Sequence, residues 1–301
     1  MRAAGAVALA LAALLLAACG SHRTKPSHAG SRHGGAWGQP SAGSGGDFRD
    51  DLSKPQGSRY RDGKDSVPPP LDVSQLVEPV PKAEPRSLYG NKSPYTVLGR
   101  TYRVLPSARG YDERGIASFY GNKFHGYKTS NLETYDMYAF SAASTTLPLP
   151  SYARVTNLET GKSVIVRVND RGPFHDNRLI DLSYAAAVKI GIWPKGTGLV
   201  EVRGIDPGQP LQELPPPAVV TGGHPGIYLQ VGAFADAGNA DRLAQRLRRA
   251  NLGAVQVSDA TINGQRVRRV RIGPLASVDR ADQVTARIEG MGLPRPQVAV
   301  D

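Results

Sequence analysis

Hydrophobic and polar positions alternate with period two over Ser163–Asn169, where Val164, Val166 and Val168 share one face. That period predicts a half-buried strand. Similar short β-rich runs recur at Thr101–Leu105, Gly115–Tyr120, Tyr152–Asn157 and Leu199–Gly204, each bounded by turn residues. The pattern changes at Leu182–Gly191, which predicts a helix capped by Ser183 and stopped by Gly191. Several short strands with a single helix predict a small β-barrel over residues 94–205.

Residues 227–301 carry an internal repeat. Leu229–Phe234 echoes Val270–Leu275 at an offset of 41 residues, and the same offset maps Ala240 onto Ala281 and Leu247 onto Ile288. Each half reads as strand, glycine turn and helix. With Ala254–Ser258 and Gln297–Val300 as further strands, the order is β-α-β-β-α-β. This predicts a four-stranded antiparallel sheet with both helices on one face. Alternation places Tyr228, Gln230, Arg269 and Arg271 opposite the helix-packed Leu229, Val231, Val270 and Ile272. Arg266 and Arg268 read as general surface charge.

The remaining segments lack a periodic pattern. Residues 20–66 are rich in Gly, Ser and Pro, with Leu52 the one Val, Ile, Leu or Met among them. Such a stretch buries too little apolar surface to offset its conformational entropy. Residues 67–93 stay Pro-rich and extended, and residues 206–226 hold six Pro and four Gly. The chain opens with Arg2 and an uncharged apolar run over residues 3–18, short for a membrane span and suited to a secretory signal. Leu16-Ala17-Ala18 then runs into Cys19, the only cysteine of the chain. This resembles the bacterial lipoprotein signal, which implies lipidation at Cys19, a lipid anchor to the membrane and, with Gly20 following, the outer membrane. The expected organisation is signal peptide 1–18, lipid-anchored flexible linker 19–93, barrel 94–205, Pro/Gly linker 206–226 and C-terminal module 227–301.

Composition narrows the function. One cysteine excludes a disulfide scaffold, and the six histidines are too scattered for a metal cluster, so no metal or cofactor is implied. The formal net charge of +11 suits an acidic polymer. Nucleic acid is disfavoured by the secretory segment and by the lack of the aromatic signature of RNA-binding sheets.

The runs YGNKFHGYKTSNLETYDMYAF, TLPLPSYARVTNLETGKSVIVRVNDRGPF and LIDLSYAAAVKIG resemble the double-psi β-barrel of the rare lipoprotein A family. Residues 227–301 resemble a SPOR domain. The resemblance implies a mainly β plus α+β protein, a double-psi β-barrel followed by a βαββαβ SPOR domain. It also implies an endolytic lytic transglycosylase of peptidoglycan at the division septum. Such enzymes let the muramic acid 6-hydroxyl attack its own C1, leaving a 1,6-anhydro end. The C-terminal module then implies binding of glycan strands lacking stem peptides, through Tyr228, Gln230, Arg269 and Arg271, and proximity to septal proteins.

An internal nucleophile removes the need for a carboxylate that activates water, so one acid of raised pKa suffices. Asp170, in Asn169-Asp170-Arg171-Gly172-Pro173, matches the family's acid; its alternative is an Asx-turn, with Arg171 pairing Asp181 to hold the loop. Glu133 matches the family's Glu, although the preceding Ser-Gly of the family is Asn131-Leu132 here; a solvated loop carboxylate is its alternative. Eleven residues on, Ser144 replaces the family's His. A Ser cannot titrate near neutrality, which leaves open a non-catalytic, lipid-anchored wall binder. His125 and His175 read as structural or surface residues.

Overall fold

A computed structural model describes residues 70–208, 225–262 and 264–300. The signal segment, Cys19, the linker up to residue 69 and residues 209–224 of the second linker lie outside the described residues.

A short hairpin, β1 (Tyr95–Val97) and β2 (Arg100–Tyr102), precedes the barrel. The barrel strands are β3 (Asp112–Tyr120), β4 (Ser141–Ala143), β5 (Ser151–Asn157), β6 (Ser163–Asp170), β7 (Arg178–Ser183) and β8 (Thr197–Ile205). They close in the order β3-β7-β4-β6-β5-β8, with β3–β7 and β4–β6 parallel. Closure leaves no free strand edge. Val164, Val166 and Val168 all point inward, as the alternation predicts.

Two strands, β4 and β7, escape the sequence reading. Both are short: β4 is buried at every position and shows no alternation, and β7 alternates only over Ile180–Leu182. Leu182 and Ser183, expected to open the helix, end β7 instead, with Leu182 in register with Phe119 and Ala142. The helix, α1 (Tyr184–Lys189), is capped by the Ser183 hydroxyl, which accepts from Ala186 N. Ala185, Ala186 and Ala187 are fully buried; small side chains let this helix lie close against the barrel.

Residues 70–93, which the sequence assigns to the flexible linker, lie along the barrel as a strap. Leu71, Val73 and Leu76 pack on its core. Glu78 Oε2 accepts from Ile165 N at 2.8 Å, and Glu84 accepts from Tyr152 Oη at 2.5 Å and Arg167 Nη2 at 2.8 Å. Asn91 exchanges hydrogen bonds with the backbone of Leu149. Isolated anchors on an irregular backbone carry no period, which is why hydrophobic patterning misses them.

The C-terminal module contains β9 (Ile227–Phe234), α2 (Ala237–Arg249), β10 (Val255–Ile262), β11 (Gln265–Leu275), α3 (Val278–Gly290) and β12 (Gln297–Val300). Its antiparallel sheet has the order β10-β11-β9-β12. The repeat is physical: Leu229, Ala240, Leu247, Ala281 and Ile288 are all fully buried in one core. It extends to the caps, since Asp236 and Ser277 each accept from the backbone N–H three residues on. Burying each such Leu or Ile stabilises the module by roughly 1.5–3 kcal/mol.

The barrel and the module share a boundary. Ile116, Leu158 and Leu199 of the barrel join the module's core cluster. Around them Asn177 Nδ2 donates to Asp282 Oδ1 at 2.8 Å and to Thr285 Oγ1 at 3.0 Å, and Arg178 pairs with Asp282 at 3.1 Å.

Candidate functional site

Asp170 ends β6 in register with Ala143, the last residue of the parallel partner β4, so its carboxyl stands at the end of both strands. Among the described residues three donors converge on Oδ1: Ser130 N at 2.8 Å, Ser130 Oγ at 2.7 Å and Arg171 N at 2.7 Å. Burial pushes the carboxyl above the ordinary aspartate range, and these hydrogen bonds and the Arg171 charge offset only part of that. With Oδ1 saturated by donors, Oδ2 is the oxygen suited to carry a proton. The arrangement is a buried acid of raised pKa at the end of β6.

Arg171 does not pair with Asp181. Its guanidinium instead donates to the carbonyls of Gly90, Ser144 and Leu147 at 2.7, 2.8 and 2.6 Å, and to Asn91 Oδ1 at 3.1 Å. Burial lowers its pKa to about 10. Arg171 thus ties the strap and the Ser144 turn to the loop that carries Asp170.

Glu133 is no solvated loop carboxylate. Arg167 Nη1 donates to both of its oxygens at 2.8 Å, Asn169 Nδ2 to Oε2 at 2.9 Å and Asn131 Nδ2 to Oε1 at 3.0 Å. Four donated hydrogen bonds fix the position of the carboxylate. The turn that delivers Glu133 survives the loss of glycine, because Leu132 adopts the left-handed conformation with φ 68°. Thr129 closes the turn, accepting from Leu132 N and donating through its own N–H to Glu133 O, both at 2.9 Å. The hydrogen bonds impose the conformation, and Leu132 holds it under strain.

Ser130 and Asn131 bring the two acids together, one serving Asp170 and the other Glu133. Ser144 joins them only through its backbone: its N–H donates to Asp170 O at 3.0 Å. Its buried hydroxyl accepts from Thr146 N at 3.2 Å and Leu147 N at 3.1 Å. Of the two barrel histidines, His125 accepts from Met137 N at 3.2 Å, a structural bond. His175 is exposed and acts electrostatically on Asp181.

Asp181 is the carboxyl that the sequence reading left out of the site. It lies in β7 between buried Ile180 and Leu182, and that alternation is the signal that would have found it. Burial also raises its pKa, and Ser118 Oγ on β3 donates to its Oδ1.

On the module, the open sheet face carries all four expected residues. Register places Gln256, Arg271, Gln230 and Gln297 in one row across the four strands. Gln256 and Gln297 emerge only from this register. A β-carbon at Gly273 would lie 2.7 Å from the Tyr228 ring, and one at Gly226 would lie 2.9 Å from it, so the ring rests on two glycines. Arg269 Nε is buried without a hydrogen-bond partner among the described residues, a donor in want of an acceptor.

The family model described as lytic transglycolase matches residues 112–203, and the SPOR domain model matches residues 223–298. The chain is similar to the endolytic peptidoglycan transglycosylase RlpA of Pseudomonas aeruginosa (strain UCBPP-PA14), with 38% identity over 95% of this chain and 94% of that protein. The protein of the same name from Vibrio cholerae serotype O1 is 41% identical over 78% of this chain and 87% of its own length. Among solved structures, the RlpA SPOR domain from Pseudomonas aeruginosa shares 35% identity over 25% of this chain and 97% of that one, with a TM-score of 0.24.

Proposed function

This chain belongs to the rare lipoprotein A family of endolytic peptidoglycan transglycosylases, and from that premise we propose that its barrel cuts glycan strands lacking stem peptides. The bond broken joins N-acetylmuramic acid to N-acetylglucosamine. Asp170 protonates the leaving oxygen and then recovers the proton of the attacking 6-hydroxyl. Glu133, held in place by Arg167, stabilises the positive charge that grows at C1. The observation that carries this reading is the buried Asp170 carboxyl with three donors on one oxygen. The face of Tyr228, Gln230, Arg269 and Arg271 holds the denuded strand, with planar donors directed at sugar hydroxyls and the lactyl carboxylate.

The same reading anchors the chain by lipid at Cys19 in the outer membrane, facing the periplasm, with the C-terminal module directing it to the septum. Mass spectrometry of denuded strands incubated with the chain from residue 20 onward tests the activity. Anhydro-ended fragments are expected, and intact strands would overturn it. The second reading, a wall binder built on an enzyme's barrel, is favoured by one observation: the Ser144 hydroxyl is engaged by backbone amides and supplies no proton relay. Under that reading only a Ser144→His variant cuts.

A further inference from the structure

Asp170 and Asp181 flank the same residue. Ala143 on β4 is in register with Asp170 of β6 on one side and Asp181 of β7 on the other. The chain then folds back at Gly172, where a β-carbon would lie 3.7 Å from Asp181 Oδ2 and 3.7 Å from the Ala143 β-carbon. The turn at Gly172 therefore lies within van der Waals reach of the second carboxyl. Each acid has its own hydroxyl donor, Ser130 for Asp170 and Ser118 for Asp181.

We propose that Asp181 is a positioning residue whose titration is coupled to that of Asp170, so that the two carboxyls work as a singly protonated pair. The inference rests on the transglycosylase reading for its chemistry but not for its titration. Like charges on two neighbouring buried carboxyls cannot both ionise cheaply. The Asp170 charge raises Asp181 further, while His175 and Arg178 lower it. Tyr120, also facing the pair, is buried and held neutral, its phenol pushed well up by burial and then by both carboxyls.

The step balances without water. The pair begins with one proton. It gives that proton to the leaving oxygen as the C1–O bond breaks. The 6-hydroxyl oxygen bonds to C1, and its proton passes to the pair, which ends as it began. This supplies what a His at position 144 would otherwise provide: a second titrating group coupled to Asp170.

The test is NMR titration of isotope-labelled aspartate in the full chain, beside the pH profile of cutting on denuded strands. The parent should show two coupled steps, with the upper one lost in Asp181→Asn. That variant should lose about 10²-fold in rate, with the limb of its pH profile displaced. Ser118→Ala keeps both acids and should move the upper step to higher pH; it serves as the second variant if Asp181→Asn fails to fold. An Asp170 titration unchanged in Asp181→Asn, or an upper step unmoved in Ser118→Ala, would overturn the pair. Absence of cutting by the parent, with the coupled titration intact, would instead count against the transglycosylase reading alone.

Discussion

Arg167 Nη1 lies 2.8 Å from both carboxylate oxygens of Glu133. The same guanidinium reaches Glu84 of the strap through Nη2 at 2.8 Å. Burial opposes its charge, but Glu84 and Glu133 outweigh burial and raise its pKa. One cation therefore fixes Glu133 and docks the strap. Arg167→Met should release both, costing about 1–3 kcal/mol of stability, toward the low end because both acids are partly exposed. Chemical denaturation measures the loss, and proteolysis near residue 84 reports the freed strap. The docking also responds to acid. Burial raises the Glu84 pKa, but Arg167 and Tyr152 outweigh it and hold it below its ordinary value. The stability it adds is present above the unfolded glutamate value, about 4.3, and is lost as pH falls through the depressed one.

Asp170→Asn should abolish cutting while leaving binding by the C-terminal module unchanged. Stability should move the other way. The folded-state pKa of Asp170 is raised, so the folded protein binds more protons than the unfolded chain across the window above the ordinary aspartate value. Stability then falls as pH rises through that window, and the cost persists at neutrality. Asn carries no such cost. Thermal unfolding of parent and variant should therefore differ in favour of the variant at neutral pH, and the gap should shrink toward about pH 3, below the unfolded aspartate value. Retained cutting would remove Asp170 from the mechanism.

Ser144→Ala separates a structural hydroxyl from a catalytic one. The substitution strips the acceptor from the Thr146 and Leu147 amides in a buried turn. About 1 kcal/mol of stability should be lost. The cutting rate per folded molecule should stay within about threefold of the parent, since a group outside proton transfer escapes the 10²-fold loss typical of an acid–base partner. A loss of that larger size would return Ser144 to the chemistry.

Leu132→Gly should stabilise the protein. Leu132 is 38% exposed and sits at φ 68°. Relief of the left-handed conformation, about 1–2 kcal/mol, exceeds the extra chain entropy of glycine at about 0.5–1 kcal/mol. A net gain near 0.5–1 kcal/mol is expected in equilibrium denaturation. No gain would mean that the Thr129 hydrogen bonds, rather than the residue, set the energy of this turn.

The parts of the fold that bury one face were legible in the sequence. Val164, Val166 and Val168 announce β6 because every second residue is inside. The repeat was legible because Ala240 and Ala281 meet the same packing demand. Strand β4 was not, since Ser141, Ala142 and Ala143 are buried on both faces and show no period. Asp170 and Glu133 were legible through the family motif, but their donors were not. Ser130 reaches Asp170 across 40 residues of chain, and Arg167 reaches Glu133 across 34. Such partnerships depend on closure of the barrel, which local pattern does not encode.

The open sheet face yields the last prediction. Arg271 and Gln230 are cross-strand partners in the row that runs from Gln256 to Gln297. Neither side chain is needed by the core, which lies on the opposite face with Leu229 and Ile272. Gln230→Ala with Arg271→Ala should therefore leave thermal stability near that of the parent. Hydrogen bonds to a charged group contribute about 1.5–3 kcal/mol and neutral ones about 1 kcal/mol, so affinity for denuded strands should fall by roughly 10²-fold. Arg266→Ala, at an exposed position near the start of β11, should change affinity little, because a single surface charge acts mainly through screened attraction. Co-sedimentation with denuded strands at two salt concentrations separates the cases. A loss in Arg266→Ala equal to that of the double variant, and abolished by salt, would mean that general charge rather than this row holds the glycan.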